Sequence, residues 1–145
     1  MLRPTQIKIP SWLIASLRAT AWAPIAVFGF HLFAMLVLNV YAKVPDFDIP
    51  MHFVGGVAIA YFFGGSYRTA LNHDLIGQPA KVVYAVIVLG MTALAAVVWE
   101  FAEFLADQTL GTHTQPSLPD TLLDLLMGLL GGIVFLASHY RRWPR

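Results

Sequence analysis

The sequence predicts an all-α membrane protein, a bundle of four transmembrane helices forming one integral-membrane domain over residues 1–145. Of its residues, 58% are hydrophobic and only 12% are charged, whereas a soluble domain is about 25% charged. A soluble chain of this length would have too little polar surface to cover so much apolar material. In addition, four long stretches carry no charged residue, and helices satisfy their own backbone hydrogen bonds in lipid.

The charge-free stretches set the positions of the four spans. The first two, at residues 19–42 and 49–67, reach the length of about 20 apolar residues that a bilayer core requires. The third and fourth, at residues 82–99 and 125–140, reach it only if neighbouring acidic residues lie inside the helix ends. The expected spans are therefore residues 20–41, 50–67, 82–106 and 119–140.

The basic residues predict the orientation of the chain. If the N-terminus is cytoplasmic, Lys43 is the only Lys or Arg on the outer side, and all the others lie on the cytoplasmic side. This asymmetry over short loops is the positive-inside pattern of membrane proteins. We therefore expect both termini in the cytoplasm. A short helix starting near Pro10 and Ser11 is expected to lie in the cytoplasmic interface.

The composition also argues against several classes of function. A net charge of +1 without a basic stripe cannot neutralise a phosphate backbone, so no nucleic-acid partner is expected. The chain has no cysteine, which excludes disulfides and thiol chemistry. It also contains no nucleophile elbow, phosphate-binding glycine loop or dinucleotide fingerprint. The ionisable residues of the spans therefore remain as the candidates for function.

Three of the spans place ionisable residues at one level of the membrane. With a helical rise of 1.5 Å per residue, His52 lies about 22 Å from the cytoplasmic edge of its span, Glu100 about 27 Å and Asp124 about 24 Å. Because the bilayer core is about 30 Å thick, this level lies just beneath the outer boundary. The sequence therefore predicts a shared site there.

Each of these helices carries its ionisable residues on one face, because they are spaced three or four residues apart. Acids within a membrane usually face the interior of the bundle. We therefore expect a pocket that opens outward and that could bind a divalent metal ion. Its expected ligands are His52, Glu100, Glu103 and Asp124, and its expected rim residues are Asp48, Asp107 and Asp120.

Some of these residues also have a structural interpretation. Asp48 is a plausible helix N-cap, and Asp120 stands at the last position of a loose capping box, Ser117-x-x-Asp120. Glu100 and Glu103 are harder to explain by stability, because they repel each other near a helix C-terminus whose dipole disfavours anions. We therefore favour a functional role for this pair. His31, near mid-membrane, is more typical of a hydrogen bond to a neighbouring helix than of a metal ligand.

Three ordered motifs resemble the YjdF-like family of bacterial inner-membrane proteins. They are Asp48-x-x-x-His52-Phe53-x-x-Gly56, Trp99-Glu100-x-x-Glu103 and Asp120-Thr121-x-x-Asp124. The chain resembles more distantly the VanZ-like family, which is linked to glycopeptide-antibiotic tolerance. VanZ-like proteins usually have Gln at the position of Glu103 and an Arg before the last helix, which this chain lacks. The resemblance implies a multi-pass bacterial inner-membrane protein, smaller than most YjdF-like chains, whose acid and His motifs line one site.

Three hypotheses for function remain open. The first is a pocket that binds a cation or a lipid head group, with catalysis undecided; carboxylates with His favour zinc, manganese or iron. The second is a proton- or ion-coupled transporter, which needs further polar groups toward the cytoplasm, where His31 and Thr92 are the main candidates. The third is a non-catalytic assembly or scaffold subunit with a membrane-protein partner. Its support is the small size of the chain and its glycine-lined helices, including Gly128-x-x-x-Gly132.

Overall fold

A computed structural model describes residues 10–139, and within that range the chain forms helices and no strands. The predicted all-α class is therefore confirmed. A 3₁₀ turn at Pro45–Phe47 joins the third and fourth α-helices. The α-helices are α1 (Ser11–Thr20), α2 (Trp22–Leu36), α3 (Val40–Lys43), α4 (Asp48–Asn72), α5 (Lys81–Leu110) and α6 (Leu118–His139).

Three helices, α4, α5 and α6, are long and apolar enough to cross a membrane. Only 17% of the most apolar window of α5 is buried within the bundle. Large apolar side chains such as Val82, Phe101 and Leu105 are exposed on its outer surface. An apolar exterior of this kind requires lipid around it.

The first expected span differs from the prediction of one helix over residues 20–41. α1 and α2 together pass the same length and hydropathy test, but they are bent by 51° at their break. Pro24 explains the bend, because it has no N–H to donate to the Thr20 carbonyl and its ring would clash with that carbonyl in a continuous helix. α2 then ends at Leu36, and Asn39, with φ of 50°, turns the chain into α3.

Close backbone contacts hold α4 and α6 side by side. A Cβ atom added at Gly56 of α4 would overlap the Gly128 carbonyl of α6, and one added at Gly131 would overlap the Phe53 carbonyl. α4 and α6 run in the same direction, because His52 near the start of α4 lies beside Asp124 near the start of α6, whereas Tyr61 packs against Phe135 farther along both helices. α5 runs the opposite way, because Ala96 approaches Gly128 whereas Thr92 approaches Gly132.

The bundle has two chemically different ends. At the acidic end, α4 and α6 begin and α5 terminates. At the basic end, Arg68 of α4 and Lys81 of α5 lie beside the connection between these helices. The buried hydrophobic core, which includes Tyr84, Val88 and Phe135, lies toward the basic end.

The orientation of the bundle in a membrane remains a prediction. It rests partly on basic residues outside the described range, and the last residue of the fourth expected span also lies outside it. These residues are Arg3, Lys8, Tyr140, Arg141, Arg142 and Arg145.

Candidate functional site

His52 lies at the centre of a group of carboxylates near the acidic end. Its Nε2 atom is 3.4 Å from Asp48 Oδ1, one turn earlier on α4, and 3.8 Å from Asp124 Oδ1 on α6. Its Nδ1 atom is 3.9 Å from Glu100 Oε1 on α5. The two ring nitrogens of His52 thus face carboxylates of different helices. We call Asp48, His52, Glu100, Glu103 and Asp124 the acid–His cluster.

The cluster contains two overlapping sets of potential metal ligands. One set is Asp48, His52 and Asp124, and the other is His52, Glu100 and Glu103. Within each set, one ligand atom from each residue lies within 4.8 Å of the others. Two atoms that bind one zinc ion at about 2.1 Å each lie about 3 to 4 Å apart. Small side-chain movements therefore bring either set to ligating distances.

The carboxylates of the cluster are buried and poorly compensated. Glu100 is 6% exposed, Glu103 7% and Asp124 2%. Glu100 Oε1 and Glu103 Oε2 are buried without a hydrogen-bond partner. In the described part of the chain, the ion pairs of the cluster's carboxylates all involve His52. Burial of a charged or polar group without a partner is costly, so these oxygens need a proton or a bound cation.

Two neutral donors fix the other oxygens of the glutamates. The Trp99 indole donates to Glu103 Oε1 at 2.9 Å. The Gln115 side-chain amide donates to Glu100 Oε2 at 2.8 Å and also to the Glu100 backbone carbonyl at 3.0 Å. Each glutamate therefore has one oxygen occupied, and the free Oε1 atom of Glu100 is the one nearest the His52 ring. The arrangement limits the rotation of both carboxylates.

Asp107 orders the loop between α5 and α6 and is in neither ligand set. Its carboxylate accepts hydrogen bonds from the Thr112 hydroxyl, from the backbone N–H and hydroxyl of Thr114, and from the backbone N–H of Gln115. The predicted rim residue thus acts one step away from the cluster, because it positions the backbone that carries Gln115 against Glu100.

The remaining predicted rim residues have different positions. Asp48 lies in the cluster, because it begins α4 one turn before His52 and therefore shares its helix face. Asp120 is in neither ligand set, and its backbone N–H donates to the Ser117 hydroxyl at 3.3 Å. In this contact the Ser117 hydroxyl caps the start of α6, which is the serine half of the capping box expected at Ser117-x-x-Asp120.

A cavity of about 160 Å³ lies beside the cluster, between α2, α4 and α5. Its polar end is formed by His31, Asp48, His52 and Trp99. The rest of its wall is largely apolar and includes Val27, Ile59 and Ala95. Polar and apolar surfaces thus occupy separate parts of the same cavity.

His31 lines this cavity and also has a hydrogen-bond partner. Its Nδ1 atom and the Tyr41 hydroxyl are 2.6 Å apart, and its ring packs edge-on against Trp99 with centroids 5.4 Å apart. Sequence spacing gave no indication of Tyr41 or Gln115, because neither shares a helical face with the acidic residues. Trp99 belongs to the second motif, and its i, i+4 spacing from Glu103 could have predicted their contact.

Comparison with known proteins identifies the family. A family model described as "Predicted membrane protein (DUF2238)" matches residues 3–145. A protein of Thermotoga maritima named "Uncharacterized protein" is 36% identical over 108 residues, which are 72% of this chain and 53% of that relative. The chain thus spans about half the length of this curated relative, and no solved structure matches it. The YjdF-like resemblance is confirmed, and the chain belongs to the DUF2238 family of membrane proteins.

Proposed function

We propose that this protein binds a divalent cation at the acid–His cluster, in the inner membrane of a bacterium and on the non-cytoplasmic side. The observation that supports the proposal best is the pair of buried glutamate oxygens near His52, Glu100 Oε1 and Glu103 Oε2, which have no hydrogen-bond partner. A bacterial relative and the positive-inside pattern support the membrane and the side.

The charge of the cluster favours a cation over other ligands. Its residues carry up to four carboxylate charges, and His52 is the basic group in contact with them. In a medium of low dielectric constant, such charges are costly unless they are paired or coordinate a metal. A divalent ion would offset two of them and would give the free oxygens of the glutamates a partner.

The types of ligand limit the choice of ion. Carboxylates together with one imidazole suit zinc, manganese or iron, whereas soft ions prefer thiolate ligands, and the chain has no cysteine. His52 would bind through one ring nitrogen, while the other donates to a carboxylate and fixes the ring, a common arrangement around metal-bound histidines. Trp99 and Gln115 would position the glutamates by the hydrogen bonds described above.

The first prediction concerns metal content. After incubation of the purified protein with Zn²⁺ or Mn²⁺ and removal of free ions, we expect at least about one bound ion per chain, measured by elemental mass spectrometry. His52→Ala and Glu100→Gln should lower the affinity for that ion by at least about tenfold, since loss of a ligand exceeds the effect of losing an outer partner.

The matched control for this experiment is His73→Ala. His73 is an exposed histidine at the basic end of α4, so its removal tests for binding by surface histidines. A wild-type protein that retains neither ion, or a His73→Ala variant that loses as much ion as His52→Ala, contradicts the proposal.

The two alternative functions have weaker support. A transporter needs polar groups that continue toward the basic end, but the Thr92 hydroxyl is already bonded to the Val88 carbonyl of its own helix at 2.8 Å. The scaffold hypothesis drew on Gly128 and Gly132, and both pack within the chain against α5. Uptake of radioactive zinc or manganese into proteoliposomes that depends on Glu100 would replace our proposal with the transporter.

A further inference from the structure

The cavity beside the acid–His cluster has the shape and chemistry of a site for an amphiphile. Along α4, its wall extends from Asp48 to Ile59, a distance of about 16 Å at the helical rise of 1.5 Å per residue. Its volume of about 160 Å³ is close to that of an apolar protein cavity of about 150 Å³ that takes up benzene. The space therefore fits a segment of one narrow chain and excludes a bulky ligand.

Small residues in its wall leave the space of the cavity unfilled. Gly55, Ala95 and Ala96 line its wall. A Cβ atom added at Gly55 would meet nothing within 4 Å, in contrast to the neighbouring Gly56, where it would overlap α6. The glycine at position 55 is thus not required for helix packing, and its effect is to leave open space between α2 and α5.

The polar end of the cavity selects the charge of the head group. Asp48 and His52 belong to both the cavity wall and the cluster. Glu100 Oε1, which is buried and has no hydrogen-bond partner, lies 3.9 Å from His52 Nδ1. An anionic head group would be repelled here by the carboxylates. A cationic head group would be attracted by them, and the aromatic ring of Trp99, which also lines this end, is a residue type that favours cations.

We propose that the cavity binds a lipid-like amphiphile with an ammonium head group, with the head at Asp48, His52 and Trp99 and the chain between α2, α4 and α5. This inference rests on the affinity of the cluster for cations that underlies the proposed function, and it extends the ligand class from metal ions to organic cations. Much of the apolar wall lies on α4 and α5, which are long and apolar enough to cross a membrane, so the chain of a membrane amphiphile would lie at the depth of the bilayer core.

The test uses the full chain in detergent and a long-chain alkylammonium that carries a photoreactive diazirine in its chain. After irradiation, peptide mass spectrometry should locate the label on cavity residues of α2, α4 or α5, such as Val27, Ile59 or Ala95. Gly55→Leu, which fills the cavity, should lower this labelling by at least about tenfold, because several methylene groups lose their burial.

Gly90→Leu is the matched control, because a Cβ atom at Gly90 also meets nothing within 4 Å but Gly90 does not line the cavity. It should label like the wild type. An alkyl sulfate with the same photoreactive chain should label the cavity at least about tenfold less, since its head group is repelled. Equal labelling by the sulfate, unchanged labelling of Gly55→Leu, or a label confined to the outer surface overturns the inference.

Metal content of the same samples separates this inference from the proposed function. If Gly55→Leu retains Zn²⁺ but loses the label, both proposals are supported, because only the cavity has been filled. If the wild type binds Zn²⁺ but is not labelled in the cavity, the metal site stands and the amphiphile site falls. If it is labelled there but binds no metal ion, the proposed metal function falls and the cavity site stands.

Discussion

Single residues of the same type have different roles in this bundle, and the adjacent glycines of α4 illustrate this. Gly56 lies where the backbones of α4 and α6 touch, at the border of the cavity, whereas Gly55 lines the cavity without touching another helix. Both belong to the same glycine pair in the sequence and have the same helix propensity. Their environments differ because successive residues of a helix point about 100° apart, so that one faces α6 while the other faces the space beside α2.

A stability measurement on these two glycines tests the packing. Gly56→Ala should lower the free energy of unfolding by about 1–3 kcal/mol, because its methyl group must displace the backbone of α6. Gly55→Ala should leave it unchanged or raise it by up to about 1 kcal/mol, because its methyl group meets no other atom within 4 Å and alanine favours a helix interior over glycine. Thermal unfolding followed by circular dichroism in detergent measures both. Equal melting temperatures for the two variants would show that α4 and α6 do not make this close contact.

The glutamates of α5 show how residue pairs acquire separate environments. Glu100 and Glu103 share one helix face, yet one is held by Gln115 from the loop and the other by Trp99 from its own helix. The spacing of three residues predicts the shared face. It contains no information about a donor that is 15 positions away, because that contact depends on how the loop folds back.

Among the elements, the loop between α5 and α6 connects an outer residue to the cluster. Asp107 holds Thr112, Thr114 and Gln115, and Gln115 then donates to Glu100. One carboxylate is sufficient to order this loop, since a carboxylate can accept several hydrogen bonds at once. The loop thus belongs to the candidate site, although its tip carries none of the cluster residues.

This connection predicts a linked effect on loop order and metal binding. Asp107→Ala should increase hydrogen exchange of the backbone amides of Thr114 and Gln115. It should also weaken binding of Zn²⁺ by about tenfold, because Glu100 loses its positioned donor. Thr109→Ala is the control, since the Thr109 hydroxyl bonds only to the Leu105 carbonyl of its own helix. Faster exchange without any change in zinc affinity would mean that the loop does not position Glu100.

The break between α1 and α2 is another feature at the level of elements. The charge-free stretch at residues 19–42 predicts a span, but charge says nothing about curvature. Pro24 is the sequence signal for the bend, because a proline is tolerated in the first turn of a helix and disrupts its interior. After the bend, α2 begins near Tyr61 of α4. Farther along α2, Phe28 and His31 contact Trp99, the residue that donates to Glu103 of the cluster.

For the whole molecule, the orientation in the membrane decides which compartment the acidic end faces. The positive-inside pattern predicts that the loop with His113 is outside and that the loop with His73 is cytoplasmic. The chain contains no cysteine, so single cysteines can be introduced without background. In intact cells, a membrane-impermeant maleimide should label His113→Cys, and it should label His73→Cys only after the membrane is permeabilised. The reverse pattern would place the cluster on the cytoplasmic side.

The separation of core and cavity is also a property of the whole molecule. Tyr84, Val88 and Phe135 pack toward the basic end, whereas the cavity and the acid–His cluster lie toward the acidic end. A well-packed part can thus hold the helices in register while the other part retains space and buried charge. Functional sites commonly combine strained or costly groups with such a rigid support.

The sequence by itself determined the helical class, the positions of the long helices α4, α5 and α6, and the motifs that identify the family. These follow from apolar length, charge and helical period, which act along the chain. Depth and face also follow from the helical rise, and they were sufficient to predict that residues of three helices lie at one level.

Only the tertiary structure decided which of those residues meet. It includes Asp48 in the cluster, shows Asp107 of α5 bound to the loop that follows and leaves Asp120 at a helix start. It also adds the bend at Pro24, the donors Trp99 and Gln115, and the cavity beside α2. The physical reason is that lateral distances between helices depend on the close contacts of glycines and on loop hydrogen bonds, which join residues far apart in the sequence.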